Sequence, residues 1–480
     1  MGKYKNLISN TILFSVSSFG SRVLVFILPF FLLDYIPRED LGAFSAAAAF
    51  CNLILPMMHL CVNEAVIRFG LDPGAKRSDI FTTGILTVLA GYLIFLAVFP
   101  LLGMVDGIGT MVSGYGGLIR LYVIASAVRT VSTHFVRASG LVRVFALDGI
   151  AHTVAFAVLA VVFVVGRGMS GHGYMLATVV SDGISAAVMF AALRFHRFFK
   201  IKGLNIQTAK KMLKYSVPLV PTALFWWVTG SSNRFFITLI CGEGDAGVFH
   251  LANQIPSILT IVSAVFISAW QISAFTEYRG KEGLRFYSNI FKSYYSLVFL
   301  AASGLIMLIK PFIGILPNQA DYSEAWRYSV VLLLAMAFSC LVTFLGTIYN
   351  AMKKNAMLTI TTALGGAVNI ALNFLLIPRM GPLGAALATF LAYLSVFVVR
   401  AIDTRKYMRI DMQPLRIAAS LAILLCQALV SLYELKMWPL WSALLFLALL
   451  LCNLGYVWFI AGQAVSTVMA RRQRARSAQD

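Results

Sequence analysis

An apolar stretch of eighteen or more residues with few charges fits one environment, the hydrocarbon of a bilayer. There it must be helical, because the medium offers the backbone no hydrogen-bond partner and tolerates no open sheet edge. This chain carries such stretches one after another from about residue 8 to residue 463, separated by short polar or basic breaks. Charged residues make up 12% of the sequence, against about 25% in soluble domains. The fold class is therefore an all-α polytopic membrane protein. Fourteen helices are expected, over 8–33, 41–66, 80–102, 116–136, 145–165, 172–193, 215–240, 246–274, 291–316, 326–350, 357–377, 382–402, 415–433 and 439–463. The first run contains Arg22 and is longer than the apolar core of a signal peptide, so it is expected to remain as a span.

The charges give the helix count a direction. With the N-terminus inside, thirty Lys and Arg fall in the inner segments and adjoining helix ends, and six fall in the outer loops. Positive residues collect on the cytoplasmic side of membrane proteins, so both termini are expected in the cytoplasm. The same bias accounts for the formal net charge of +20 without any nucleic-acid partner. The basic tail, Arg471 to Arg476, reads as an anchor at an anionic leaflet.

Two hairpins look alike. Residues 353–402 hold two apolar runs joined by Pro378-Arg379-Met380-Gly381-Pro382. Shifting by 211 positions places Met169, Gly173, Leu176, Ala177 and Thr178 on Met380, Gly384, Leu387, Ala388 and Thr389. A shift of 205 places Asp40, Gly42, Phe44 and Ala47 on Asp245, Gly247, Phe249 and Ala252. Each half starts in the cytoplasm and has an even number of helices, so the repeats are parallel. The expected divisions are an N-lobe over 1–195, a basic cytoplasmic linker over 196–214, a C-lobe over 215–403, two further helices over 404–463 and a basic tail over 464–480.

Polar residues inside the spans are the candidate site. Arg22 sits mid-helix, where a charge costs about 2.5–3.5 kcal/mol on insertion scales and must face protein or water. It either pairs with a buried group such as Glu64 or lines a wet cavity. Asn52, His59 and Asn63, with Pro56, share one helical face, with Glu64 beside them and Arg68 at the cytoplasmic mouth. Thr222, Trp226, Thr229 and Asn233 repeat the rhythm, with Arg234 adjacent, and so do His250, Asn253 and Ser257. These stripes are either interhelical hydrogen-bond contacts or the lining of a shared pathway. Arg22, Arg234 and Arg129 point to an anionic ligand, a phosphate or acidic sugar. His134, His152 and His172 lie near helix ends and read as interfacial.

The six cysteines are scattered and show no metal-ligand or disulfide spacing, and no cofactor is called for. There is no phosphate-binding Gly-rich loop with Lys, no HExxH and no nucleophile elbow, so an enzyme is not expected.

The run from Lys353 to Tyr393, through Asn369, Asn373, Pro378, Gly381, Gly384, Ala385, Ala386 and Thr389, resembles the eleventh and twelfth helices of bacterial polysaccharide transporters. These are the O-antigen (Wzx-type) oligosaccharide flippases of the multidrug/oligosaccharidyl-lipid/polysaccharide exporter superfamily. Asn233-Arg234 resembles the family's Asp-Arg element, with Asn in place of the usual Asp. The resemblance implies two six-helix lobes around a central cavity, in the bacterial cytoplasmic membrane. It implies an alternating-access exchange that moves an undecaprenyl-pyrophosphate-linked oligosaccharide from the inner to the outer leaflet, with glycan polymerase or ligase machinery as partners. It also implies that the last two helices can offer a lipid groove. The alternative within the superfamily is a cation-coupled multidrug exporter, for which Glu64 would be the first carboxylate to consider. A third reading is a scaffold that recruits enzymes through the basic linker.

Overall fold

The computed structural model describes residues 24, 27–71, 76–104, 108–200, 205–276, 280–315, 321–352 and 354–476. The described residues form helices and contain no strand, as a bilayer requires. In chain order these are α1 (Arg38–Met58), α2 (Val62–Gly70), α3 (Arg77–Leu102), α4 (Ile108–Ala138), α5 (Val142–Ala160), α6 (Ser170–Ala192), α7 (Ile206–Ser216), α8 (Val220–Cys241), α9 (Glu243–Thr276), α10 (Gly280–Ile313), α11 (Ala325–Ala351), α12 (Asn355–Met380), α13 (Pro382–Asp403), α14 (Pro414–Leu432) and α15 (Trp438–Arg476). Ten of the described helices are long and apolar enough to cross a membrane by length and composition. α4, α8 and α9 match further expected spans but carry polar residues along their length.

Two differences from the sequence reading have local causes. The expected helix 41–66 is broken into α1 and α2 at Leu60 and Cys61, which adopt left-handed φ of 49° and 52°. Pro56 has no N–H to give the turn before it. The His59 Nδ1 then accepts the Cys61 backbone N–H at 3.0 Å, so the imidazole serves the broken backbone. The basic linker also contains a helix. Asn205 caps α7 by accepting from the Gln207 and Thr208 N–H groups at 2.9 and 3.2 Å. Met212 is buried on one face of α7, while Lys210, Lys211 and Lys214 are exposed. The chain before it is fastened to α3, because Thr82 donates to the Phe198 carbonyl and accepts from the Lys200 N–H, both at 3.0 Å.

The chain divides into two compact units. The first comprises Met1–Leu251, Leu316–Tyr322 and Gly366–Ala385; the second comprises Ala252–Ile315, Ser323–Gly365 and Ala386–Asp480. In the second, α11 is buried along most of its length, and polar clasps hold α14 and α15 to α10. Ser303 donates to Gln427 at 2.6 Å, Gln427 donates to Ser442 at 2.9 Å, and Ser296 donates to Asn453 at 3.0 Å. Arg400 of α13 is 1% exposed. Its guanidinium donates to Thr361 and Thr362 at 2.9 Å each, to the Val342 carbonyl at 2.8 Å and to the Leu358 carbonyl at 3.3 Å. In the loop before α14, a hydrogen bond from Lys292 holds the Asp411 carboxyl below its ordinary range.

The first unit displays the internal repeat as geometry. Ser170 and Gly381, 211 positions apart, are both left-handed, with φ of 48° and 57°, and each begins the return arm of its hairpin. The shift of 205 leads to a direct meeting of the two copies. A Cβ on Gly42 would lie 1.7 Å from the Glu243 carbonyl oxygen, and a Cβ on Gly247 would lie 2.0 Å from that of Arg38. Arg38 and Glu243 are themselves 205 apart, as are Ser45 and His250, whose side chains meet at 3.1 Å. The start of α1 and the start of α9 thus cross backbone to backbone about a local two-fold axis.

This crossing needs glycine at both positions. Gly42→Val and Gly247→Val are each expected to destabilise the protein by about 1–3 kcal/mol through overpacking. Gly149→Ala, where nothing lies within 4 Å, should leave stability equal or slightly higher. Thermal unfolding in detergent, compared across the three variants, checks this.

Candidate functional site

α8 brings most of the candidate residues into one element. Thr229 and Asn233 are buried, Arg234 and Thr222 are half-buried, and Trp226 is 41% exposed. Thr229 returns its hydroxyl to the Phe225 carbonyl at 3.0 Å, an intrahelical bond. Trp227, next to the predicted Trp226, is the tryptophan that makes the interhelical bond, donating Nε1–H to the Ala49 carbonyl at 2.7 Å. Asn233 belongs to a buried amide cluster with α12. The Asn373 Nδ2 donates to Asn233 Oδ1 at 2.8 Å and to Asn369 Oδ1 at 3.0 Å. The residues carrying the family resemblance on α8 and α12 therefore touch each other, and all three are neutral. Arg234 enters none of the ion pairs seen among the described residues.

The stripe on α1 and α2 is less unified. Asn52 is exposed, and His59 is 7% exposed and occupied by the helix break. Asn63 donates to Glu64 at 3.1 Å and lies 3.3 Å from the His134 Nε2, which stands 3.8 Å from the Glu64 carboxylate. Glu64 and Arg68 are exposed. Arg22 lies outside the described residues. On α9, His250 is buried against Ser45 in the first unit. Asn253 and Ser257 are half-buried in the second unit, where the Ser257 hydroxyl turns back to the Gln254 carbonyl at 2.5 Å.

A second cluster was not assembled from the sequence. Arg129 of α4 lies 3.5 Å from Asp148 of α5 and 3.6 Å from Asp182 of α6. His152 contacts Asp182 at 2.8 Å, Ser185 donates to Asp148 at 2.6 Å, and Ser126 donates to Asp182. This overturns the reading of Arg129 as a ligand for an anion, because two carboxylates already neutralise it. It also moves His152 from the interface into a buried network. The signal available in the sequence was one cation and two carboxylates within three successive spans.

With this geometry in place, comparison with known proteins decides the family. The family model described as "Polysaccharide biosynthesis protein" matches residues 7–272, more than half of the chain. The chain belongs to the polysaccharide biosynthesis protein family. No curated protein matches it in sequence. Among solved structures, the lipid II flippase MurJ in an inward-closed conformation superposes with a TM-score of 0.68 at 14% identity, covering 95% of this chain and 100% of that one. A multidrug resistance MATE transporter of the MOP superfamily superposes in its inward-facing form with a TM-score of 0.63 at 15% identity, covering 82% of this chain and 98% of that one. An outward-facing MATE transporter gives 0.59 at 15% identity, covering 83% and 95%. At these identities the likeness establishes the fold, which is that of the MOP transporters, and the protein is a multi-pass membrane protein.

Within this family member the amide cluster is expected to hold α8 to α12. Asn373→Ala is expected to cost about 0.5–1.5 kcal/mol, because it removes one donor from each of two buried acceptors. Asn373→Asp should be worse than Asn373→Ala, since it adds an unpaired charge beside two carbonyl oxygens. Protein abundance in membranes and thermal unfolding of the purified variants read both effects.

Proposed function

We propose that this protein is a flippase for a lipid-linked oligosaccharide, carrying an undecaprenyl-pyrophosphate-linked glycan from the inner to the outer leaflet of the bacterial cytoplasmic membrane by alternating access. The observation that carries this reading is Arg234. It is a half-buried guanidinium in a membrane helix, outside every ion pair among the described residues, in a chain of a polysaccharide-biosynthesis family. A cation of this kind, together with Arg22, suits a pyrophosphate or an acidic sugar, which a guanidinium grips through paired N–H donors. The polar residues Asn52, Asn63 and Thr222 and the exposed Trp226 would supply hydrogen bonds and a stacking surface for sugar rings.

The excess of Lys and Arg in alternate loops supports a topology with both termini, the basic linker and the tail in the cytoplasm. In that topology the starts of α1 and α9, with their glycine crossing, lie at the outer end.

The competing reading is a cation-coupled drug exporter. Its support is the likeness to MATE transporters and the Glu64–His134 pair. Against it, Asn233 and its partners Asn369 and Asn373 are neutral amides.

Cells lacking the protein are expected to accumulate lipid-linked oligosaccharide on the cytoplasmic leaflet. The wild-type gene should reverse this, whereas Arg22→Ala and Arg234→Ala should not, at unchanged protein abundance. Full export by both variants would sink the cationic site. Normal oligosaccharide levels with new sensitivity to cationic dyes, abolished by Glu64→Gln, would favour the exporter.

A further inference from the structure

One face of α3, from Thr83 to Leu102, lines a groove that contains no residue of the proposed cationic site. Thr83, Leu86, Ala90, Ile94, Val98 and Leu102 follow one another at helical spacing along a groove of about 620 Å3. Ile54 and Met57 of α1 form one wall, and Ala209 and Leu213 of α7 close the end nearest the start of α3. The groove exists because of the helix break. α1 stops at Met58, with its carbonyl so near α3 that a Cβ on Gly91 would lie 1.8 Å from it. The chain then turns away through the left-handed Leu60 and Cys61. Past that contact, Ile94 and Val98 are 66% and 43% exposed, so the groove opens sideways to lipid.

We propose that this groove seats the polyprenyl chain of the lipid-linked substrate as it loads, with α7 holding the phosphate before the head group reaches Arg234; the proposal rests on the flippase reading. Length selects the chain. From Thr83 to Leu102 the face runs about 28 Å at 1.5 Å per residue, close to the full ~30 Å hydrocarbon core. The acyl chain of a glycerophospholipid reaches through one leaflet, about half that depth, whereas a polyprenyl chain is long enough to follow the face to its far end. Charge selects the head group. α7 turns Ala209 and Leu213 toward the groove and exposes Lys210, Lys211 and Lys214 beside them. An apolar channel ending at three ammonium groups on an interfacial helix matches a lipid with one long chain and a phosphate at its end.

The test uses the full chain purified in neutral detergent, with undecaprenyl phosphate, farnesyl phosphate and phosphatidylglycerol as probes and native mass spectrometry as the readout. Wild type is expected to hold undecaprenyl phosphate roughly tenfold more tightly than farnesyl phosphate and to keep it against equimolar phosphatidylglycerol. Ile94→Trp fills the groove from its exposed side and should erase the preference for the longer chain. Lys210→Gln/Lys211→Gln/Lys214→Gln should weaken both polyprenyl phosphates. These positions are exposed, and unchanged thermal unfolding verifies that both variants remain folded. Displacement by phosphatidylglycerol, or a full chain-length preference in Ile94→Trp, overturns the assignment. If Arg234→Ala still blocks export in that case, the groove alone is wrong. If Arg234→Ala exports normally as well, the flippase reading falls with it.

Discussion

Every polar group placed in hydrocarbon must find its partner within the protein, and this rule shapes each feature of the structure. It makes the spans helices, and it explains why so many serines and threonines return their hydroxyls to a carbonyl one turn back, as Thr83, Thr87, Thr153 and Thr229 do. It governs the charges more strictly. Arg400 is enclosed by two hydroxyls and two carbonyls in the second unit, and Arg129 is enclosed by two carboxylates in the first. Arg234 lies outside the ion pairs of the described residues, so it retains a charge that a ligand could answer.

The first unit thus separates three tasks that look similar in the sequence. The Arg129, Asp148, His152 and Asp182 network ties α4, α5 and α6 together. The Asn233, Asn369 and Asn373 cluster ties α8 to α12 without net charge. The exposed lysines of α7 sit where an anionic head group at the membrane surface could reach them. Among the described residues, the lysines of α7 and Arg234 are among the cations that enter no ion pair.

Much of the fold was legible because it follows from length and charge. Among the described residues, the helices, their order and the paired glycines of the internal repeat came from apolar runs and from matches such as Gly42 with Gly247. What escaped notice depended on local chemistry or on distance along the chain. The break at Leu60 and Cys61 rests on a histidine accepting a backbone N–H, which apolar periodicity cannot register. α7 was hidden because its lysines masked a short amphipathic period. The Arg129 network joins residues 19 to 56 positions apart, so the sequence alone suggested an anion-binding arginine where the structure has an ion pair. Of the candidate site, the residues on α8 came together with α12, while His59 and His250 proved to be held by the backbone and by Ser45.

The glycine crossing has a further meaning. Arg38 meets Gly247 and Glu243 meets Gly42, which is the pattern of an isologous interface: residue i touches j while the copy of i touches the copy of j. Two-fold dimers show this pattern between separate chains, and here it occurs within one. At the axis itself the two copies of a position face each other, as Ser45 and His250 do. Because both copies lie in one chain, the two positions need not be identical, so a serine faces a histidine where a symmetric dimer would be held to serine on serine or histidine on histidine.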